Sequence, residues 1–181
     1  MLSVLSVGLV CLIAGADPVA PAPSASSTVS PAHYLLLNAP DRRVRATDAR
    51  LQSLLAEGLN RSRTFASLVT ALNRTDVIVY VESVMTLPKD TMGRLTMTPK
   101  TGDFRYLRVQ IRADLSRREA IALIGHELRH ALEIADATEV RDSTAMIGLY
   151  ERIGHTSGGD HDYDTDAAQD TGRTVRRELN S

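Results

Sequence analysis

Cysteine is almost missing from this chain: the only one, Cys11, sits inside an apolar N-terminal stretch. If that stretch leaves as a leader, disulfides, thiolate nucleophiles and Cys-ligated zinc are excluded together. Any metal must then be held by His, Asp and Glu, and the histidines number only five: His33, His126, His130, His155 and His161. Tryptophan is absent and aromatics make up 4% of residues, which argues against a stacking platform for single-stranded nucleic acid or sugar. Lysine is scarce as well, with Lys89 and Lys100 the only two among 21 basic residues. Those 21 face 22 acidic residues for a net charge of -1, so no field of one sign favours nucleic acid or anionic lipid, and neither is expected as a partner.

Long apolar runs are also lacking, and a mean hydropathy of -0.12 does not fit a multi-span membrane protein. The single exception is "MLSVLSVGLVCLIAGADPVA" at the N-terminus. Residues 2–14 are too few to span a bilayer comfortably and lead into Ala14-Gly15-Ala16, an A-x-A cleavage pattern. Residues 1–16 therefore read as a signal peptide, although no Lys or Arg precedes the apolar core. The mature protein is expected in the periplasm, the cell envelope or the medium, with no stable membrane insertion once the signal is removed. Gly8-Leu9-Val10 before Cys11 does not form a lipobox, which argues against a lipid anchor.

What is present divides into a spacer and one domain. Residues 17–33, beginning "DPVAPAPSASSTVSPA", are rich in Pro, Ser and Ala without apolar period, a linker. Residues 34–181 hold enough chain for a single core. Leu51, Leu54, Leu55 and Leu59 recur at helical spacing, as do Phe65, Leu68, Val69 and Leu72. The period then changes: "VIVYV" (77–81) is β-branched and aromatic, while "GRLTM" (93–97) and "FRYLRVQIR" (104–112) alternate. In the last of these, Arg105, Leu107, Val109 and Ile111 form the core face and Phe104, Tyr106, Arg108, Gln110 and Arg112 the wetter one. That wet face predicts a strand at or near a sheet edge.

Ser116-Arg117-Arg118-Glu119 is a capping box that opens a third helix with a buried stripe at Ile121, Ile124, Leu128, Ala131 and Ala135. "STAMIGLYERIG" (143–154) predicts a fourth helix stopped by Gly154, and a polar loop leads to a fifth from about Asp164. Helices, a small mixed or antiparallel sheet, then helices make an α+β pattern.

The third helix contains His126-Glu127-Leu128-Arg129-His130, an H-E-x-x-H string. Residues four apart stack on one helix face, so both imidazoles can address a single Zn2+. Glu127 is rotated about 100° from His126, placed to act as general base on a water rather than as a ligand. Without a metal, the same residues would be ordinary solvated positions. Glu133 lies on nearly the same side but about 10 Å further along the axis than His126, too far to bind the same ion. It is better cast as a partner of a histidine N–H.

The motif and the order of elements resemble the zincin metallopeptidases, particularly the compact gluzincin type, over roughly residues 64–180. The resemblance implies a small sheet before the active-site helix, an edge strand that pairs with an extended peptide, and an acidic third ligand from a later helix. "DTDAA", from Asp164 to Ala168, resembles that family's E-x-x-A segment with Asp in place of Glu, which makes Asp164 the preferred third ligand. Glu151, 21 residues after His130, and Glu139, nine after it, are the alternatives, with His155, His161 and Asp160 behind them. Asp164 also suits an N-cap. Tyr163, His155 and His161 are candidate oxyanion donors, and the strand over 104–112 the expected peptide-binding element. The expected function is zinc-dependent hydrolysis of a peptide or protein by an exported endopeptidase-like enzyme. The alternative is a non-catalytic zincin-fold binding protein of the envelope, with or without bound metal.

Overall fold

A computed structural model describes residues 7–8, 42–88, 91–98, 102–156 and 163–181. The linker of residues 17–33, Cys11, His33, Asp160 and His161 lie outside the described residues. Of the expected signal peptide, only residues 7–8 are described.

The described residues are α+β. A short strand β1 (Val7–Gly8) and a second, β2 (Val44–Ala46), precede helices α1 (Ala49–Arg61) and α2 (Arg63–Leu72). Strands β3 (Val77–Val84), β4 (Gly93–Met97) and β5 (Arg105–Arg112) follow, then α3 (Arg117–Asp136) and α4 (Ser143–Ile153). A two-residue hairpin pair, β6 (His155–Thr156) and β7 (Tyr163–Asp164), leads into α5 (Asp166–Glu178). Among these helices none is long and apolar enough to cross a membrane.

The sheet is mixed, in the order β1-β4-β5-β3-β2. β3 runs parallel to both β2 and β5, while β4 is antiparallel to β5. This corrects the edge position expected for residues 104–112. β5 lies inside the sheet with both its edges paired, so its backbone has no free ladder to offer a peptide. Its wet face arises because Tyr106 and Arg108 point away from the helices, not because the strand is peripheral. Arg108 there donates to Glu82 at 3.0 and 2.6 Å. The outermost strand on this side is β1, whose Val7 and Gly8 pair antiparallel with Leu95 and Arg94 of β4.

The other face is the core. Val77, Val79 and Val81 of β3, Leu95 of β4, and Leu107, Val109 and Ile111 of β5 are all buried against helix residues such as Leu51, Leu54, Phe65, Leu72, Ile121, Ile124 and Leu128. Period-2 alternation on the strands and 3.6-residue periodicity on the helices thus meet in one apolar layer. Each helix begins on a side-chain cap: Asp48, Ser62, Ser116, Asp142 and Thr165 accept from backbone N–H groups of the first turn. Such a cap contributes about 1 kcal/mol. The Ser116 capping box is complete in both directions, which fixes where α3 starts and so which face its histidines present.

Candidate metal centre

Helix α3 buries His126, Glu127 and His130 together, each no more than 2% exposed. Burial on a helix that faces the sheet is the work of the apolar stripe: Ile124, Leu128 and Ala131 are fully buried and hold the same side inward. Asp164, at the end of β7, is also fully buried and meets the two histidines from the opposite side. His126 Nε2 and His130 Nε2 are 3.1 Å apart, and Asp164 Oδ1 lies 3.3 Å from each. Three ligand atoms thus form a nearly equilateral triangle. Ligands at 2.0–2.1 Å from a tetrahedral zinc stand about 3.3 Å from one another, so the triangle has the edge length of such a site.

The proton inventory points the same way. Glu133 Oε2 is 3.0 Å from His130 Nδ1, and Glu133 Oε1 accepts from Thr165 Oγ1 at 2.9 Å. An ionised Glu133 only accepts, so neutral His130 carries its proton on Nδ1 and turns a bare Nε2 lone pair toward the triangle. Lone pairs of His130 and Asp164 then converge, and only a proton or a cation between them relieves the repulsion. Burial works to lower the His130 pKa, but the hydrogen bonds to Asp164 and Glu133 outweigh it and raise the value to about 9. For His126 burial prevails and the pKa falls. Asp164 is held well below the usual carboxylate range: burial opposes this, and hydrogen bonds to His126 and His130 overcome it.

Glu127 differs from its neighbours. Among the described residues, neither of its buried carboxylate oxygens has a hydrogen-bond partner. Such a group is costly to bury, and burial pushes its pKa up to about 8, while the nearby charges of His130 and Asp164 act in opposite directions. Gly93 of β4 makes the space: a Cβ there would stand 3.1 Å from Glu127 Oε1 and 2.9 Å from Leu123 Cδ2.

Several supporting groups have no signature in the sequence. Gly172 of α5 lies against α3, where a Cβ would come 3.3 Å from that of His126, so the two helices pack closely at the histidine. Gly154, read from the sequence only as a helix stop, also leaves room for Asp164, whose carbonyl oxygen would be 2.9 Å from an added Cβ. Tyr150 donates to the His130 carbonyl at 3.1 Å and sets its ring edge-on to the imidazole. Gln169 donates to Asp164 Oδ2 at 2.9 Å. Asp164 itself is not the N-cap of α5; Thr165 fills that role.

The remaining sequence candidates fall elsewhere. Glu139 is exposed and lies 3.5 Å from Arg152, and Glu151 is exposed on α4; neither belongs to the His126, His130 and Asp164 group. His155 is exposed; its ring lies 3.3 Å from Gln169 Nε2 and its backbone is paired with Asp164, but it is not in the group. Tyr163 is buried beside Asp164 on β7. Comparison of the chain with protein-family models, with curated proteins and with solved structures gives no match in any of the three.

Proposed function

We propose that the protein is a zinc-dependent peptide hydrolase of zincin type, with His126, His130 and Asp164 as metal ligands and Glu127 as general base. The observation that carries this reading is the buried carboxylate of Glu127, without a hydrogen-bond partner among the described residues, beside a triangle of donor atoms with tetrahedral spacing. A structural zinc site needs four protein ligands and no idle carboxylate; three ligands plus a base describe a catalytic one. When bound, zinc supplies Lewis acidity and lowers the pKa of a bound water.

The work of this chain's own residues follows from their surroundings. Glu127, its carboxylate buried beside the two histidines, would take up the proton lost by the attacking water and pass it to the departing nitrogen. Glu133 holds His130 in the tautomer that offers Nε2. An extended peptide as substrate is supported by β4, whose outer edge already accepts a strand of this chain at Val7–Gly8, alongside β7 that ends in Asp164. Export through the N-terminal segment completes the proposal on sequence grounds alone.

The test is metal analysis paired with peptide cleavage. The wild-type chain should carry one zinc, and His126→Ala or His130→Ala should lose it. Glu127→Gln should keep the zinc while cleavage drops by roughly 10²–10⁴-fold. Cleavage unchanged in Glu127→Gln would sink the assignment of the base. Zinc bound with no cleavage in the wild type would turn the reading to a binding protein on the same fold.

A further inference from the structure

The two oxygens of Asp164 are held in different ways. Oδ1 faces both histidine Nε2 atoms at 3.3 Å and also accepts from the Thr165 backbone N–H at 2.7 Å. Oδ2 accepts from Gln169 Nε2 at 2.9 Å. We propose that Gln169 is a positioning residue that keeps Asp164 a one-oxygen ligand, an inference that rests on the metal-centre reading above.

The orientation of the Gln169 amide is fixed from both ends. Arg173 has only donors, and its Nη1 lies 3.4 Å from Gln169 Oε1, so the oxygen must point there. Ionised Asp164 only accepts, so the nitrogen must point to it. The second N–H of that nitrogen is directed at His155 Nε2, 3.3 Å away. His155 in turn is the register partner of Asp164 across the β6–β7 pair. Gln169 can reach because it sits one turn into α5, with its backbone N–H bonded to the Thr165 carbonyl at 3.0 Å. The geometry therefore ties the far oxygen to the helix that follows the ligand.

The consequence concerns coordination number. An Asp carboxylate free to turn about its last torsion can bring both oxygens to an ion and fill the position that water or substrate needs. The Gln169 bond opposes this rotation, so the centre stays three protein ligands with an open position.

Cobalt(II) reports coordination number directly, because four-coordinate cobalt absorbs far more strongly in the visible than five- or six-coordinate cobalt. The full chain, Gln169→Glu, Gln169→Leu and Asp164→Asn should be loaded with cobalt and, separately, titrated with zinc against a chelator. Gln169→Glu keeps the shape but removes the donor; Gln169→Leu removes the donor without adding charge. Both should fold as judged by circular dichroism, lose most of the visible band, and bind zinc roughly 10–100-fold more weakly. Wild-type spectra and affinity in both variants would overturn the proposal while leaving the metal centre intact. So would a change in Gln169→Glu alone, because added charge would then be the cause. Failure of the wild-type chain to take up cobalt, or unchanged binding in Asp164→Asn, would overturn the metal centre itself.

Discussion

A single methyl group added at residue 93 would meet Glu127, the proposed general base. The Cβ of Gly93→Ala falls 2.9 Å from Leu123 Cδ2, 3.0 Å from its Cγ and 3.1 Å from Glu127 Oε1. Leu123 must shift, and Glu127 with it, whereas the three proposed metal ligands lie elsewhere. Gly93→Ala should keep zinc binding within about twofold while destabilising the fold by about 1–3 kcal/mol and slowing peptide cleavage at saturating zinc. Gly172→Ala should do the reverse, because its Cβ would press on His126 and the Ala122 carbonyl at 3.3 and 3.5 Å. It should weaken zinc first, read as a lower competition affinity against a chelator. If both variants weakened zinc equally, the division of roles would be wrong. Neither glycine stands out in the sequence, because nothing local demands it: both are needed for close approach, and closeness depends on a partner element far along the chain. His126, Glu127 and His130 are legible for the opposite reason, since one helix sets their spacing.

At the level of elements, the C-terminal end of α3 depends on a residue from β5. The last turn of α3 contains no basic residue, and Arg105 supplies the missing cation from the neighbouring strand. Its guanidinium donates to the carbonyls of Ile134, Ala135, Ala137 and Val140 at 2.6 to 3.2 Å and to both oxygens of Asp76 at 2.5 and 3.0 Å. These bonds satisfy carbonyls that the helix leaves open and complement its dipole. Arg105→Met leaves these carbonyls without their donor, and a buried polar group left unsatisfied costs about 1–3 kcal/mol, so the variant should lower stability by at least that order in chemical denaturation. The pH dependence follows from Asp76, whose pKa is lowered chiefly by its hydrogen bond from Arg105. A folded-state pKa below the unfolded one gives stability that is present above about pH 4 and lost as pH falls through the lower folded value. Thermal melts should therefore weaken below about pH 4, and Asp76→Asn should flatten that slope. Equal slopes in both proteins would exclude Asp76 as the cause. The sequence does reveal the capping box of α3 and places Arg105 on the core face by alternation. It does not reveal that a charged side chain there is fully buried, nor that β5 is an interior strand, because both depend on pairings with distant segments. Strand β2, only three residues long, carries too short a pattern to be read at all.

Across the whole molecule, the proposed centre adds a polar link between two helices that already pack closely, with Gly172 of α5 against His126 and Val175 against Gly125. Helix α5 buries only Ala168, Val175 and the following Leu179 as apolar contacts, with Gly172 against α3. Polar links add to that packing: Glu133 bridges His130 and Thr165, and Glu178 accepts from Ser62 and Thr64 at the far end. The third ligand is also where the sequence is least decisive. Asp164 lies 34 residues beyond His130, and no periodicity spans that distance, so Glu139 and Glu151 compete on spacing until the fold brings Asp164 alone of the three into the group. With the proposed ligands split between α3 and β7, a bound metal would brace α5, because the site exists only when the two are together. Ligand binding to the folded state alone stabilises by about 4 kcal/mol at a free concentration of 1,000 times Kd. For a domain of this size that corresponds to roughly 10 °C in Tm. Chelation should therefore lower Tm by about that amount and speed amide exchange first in α5, leaving β3 and β5 protected. Asp164→Asn should melt at the chelated value whether or not zinc is added. A Tm that ignores the chelator, with exchange in α5 unchanged, would show that the two parts are held together without a metal.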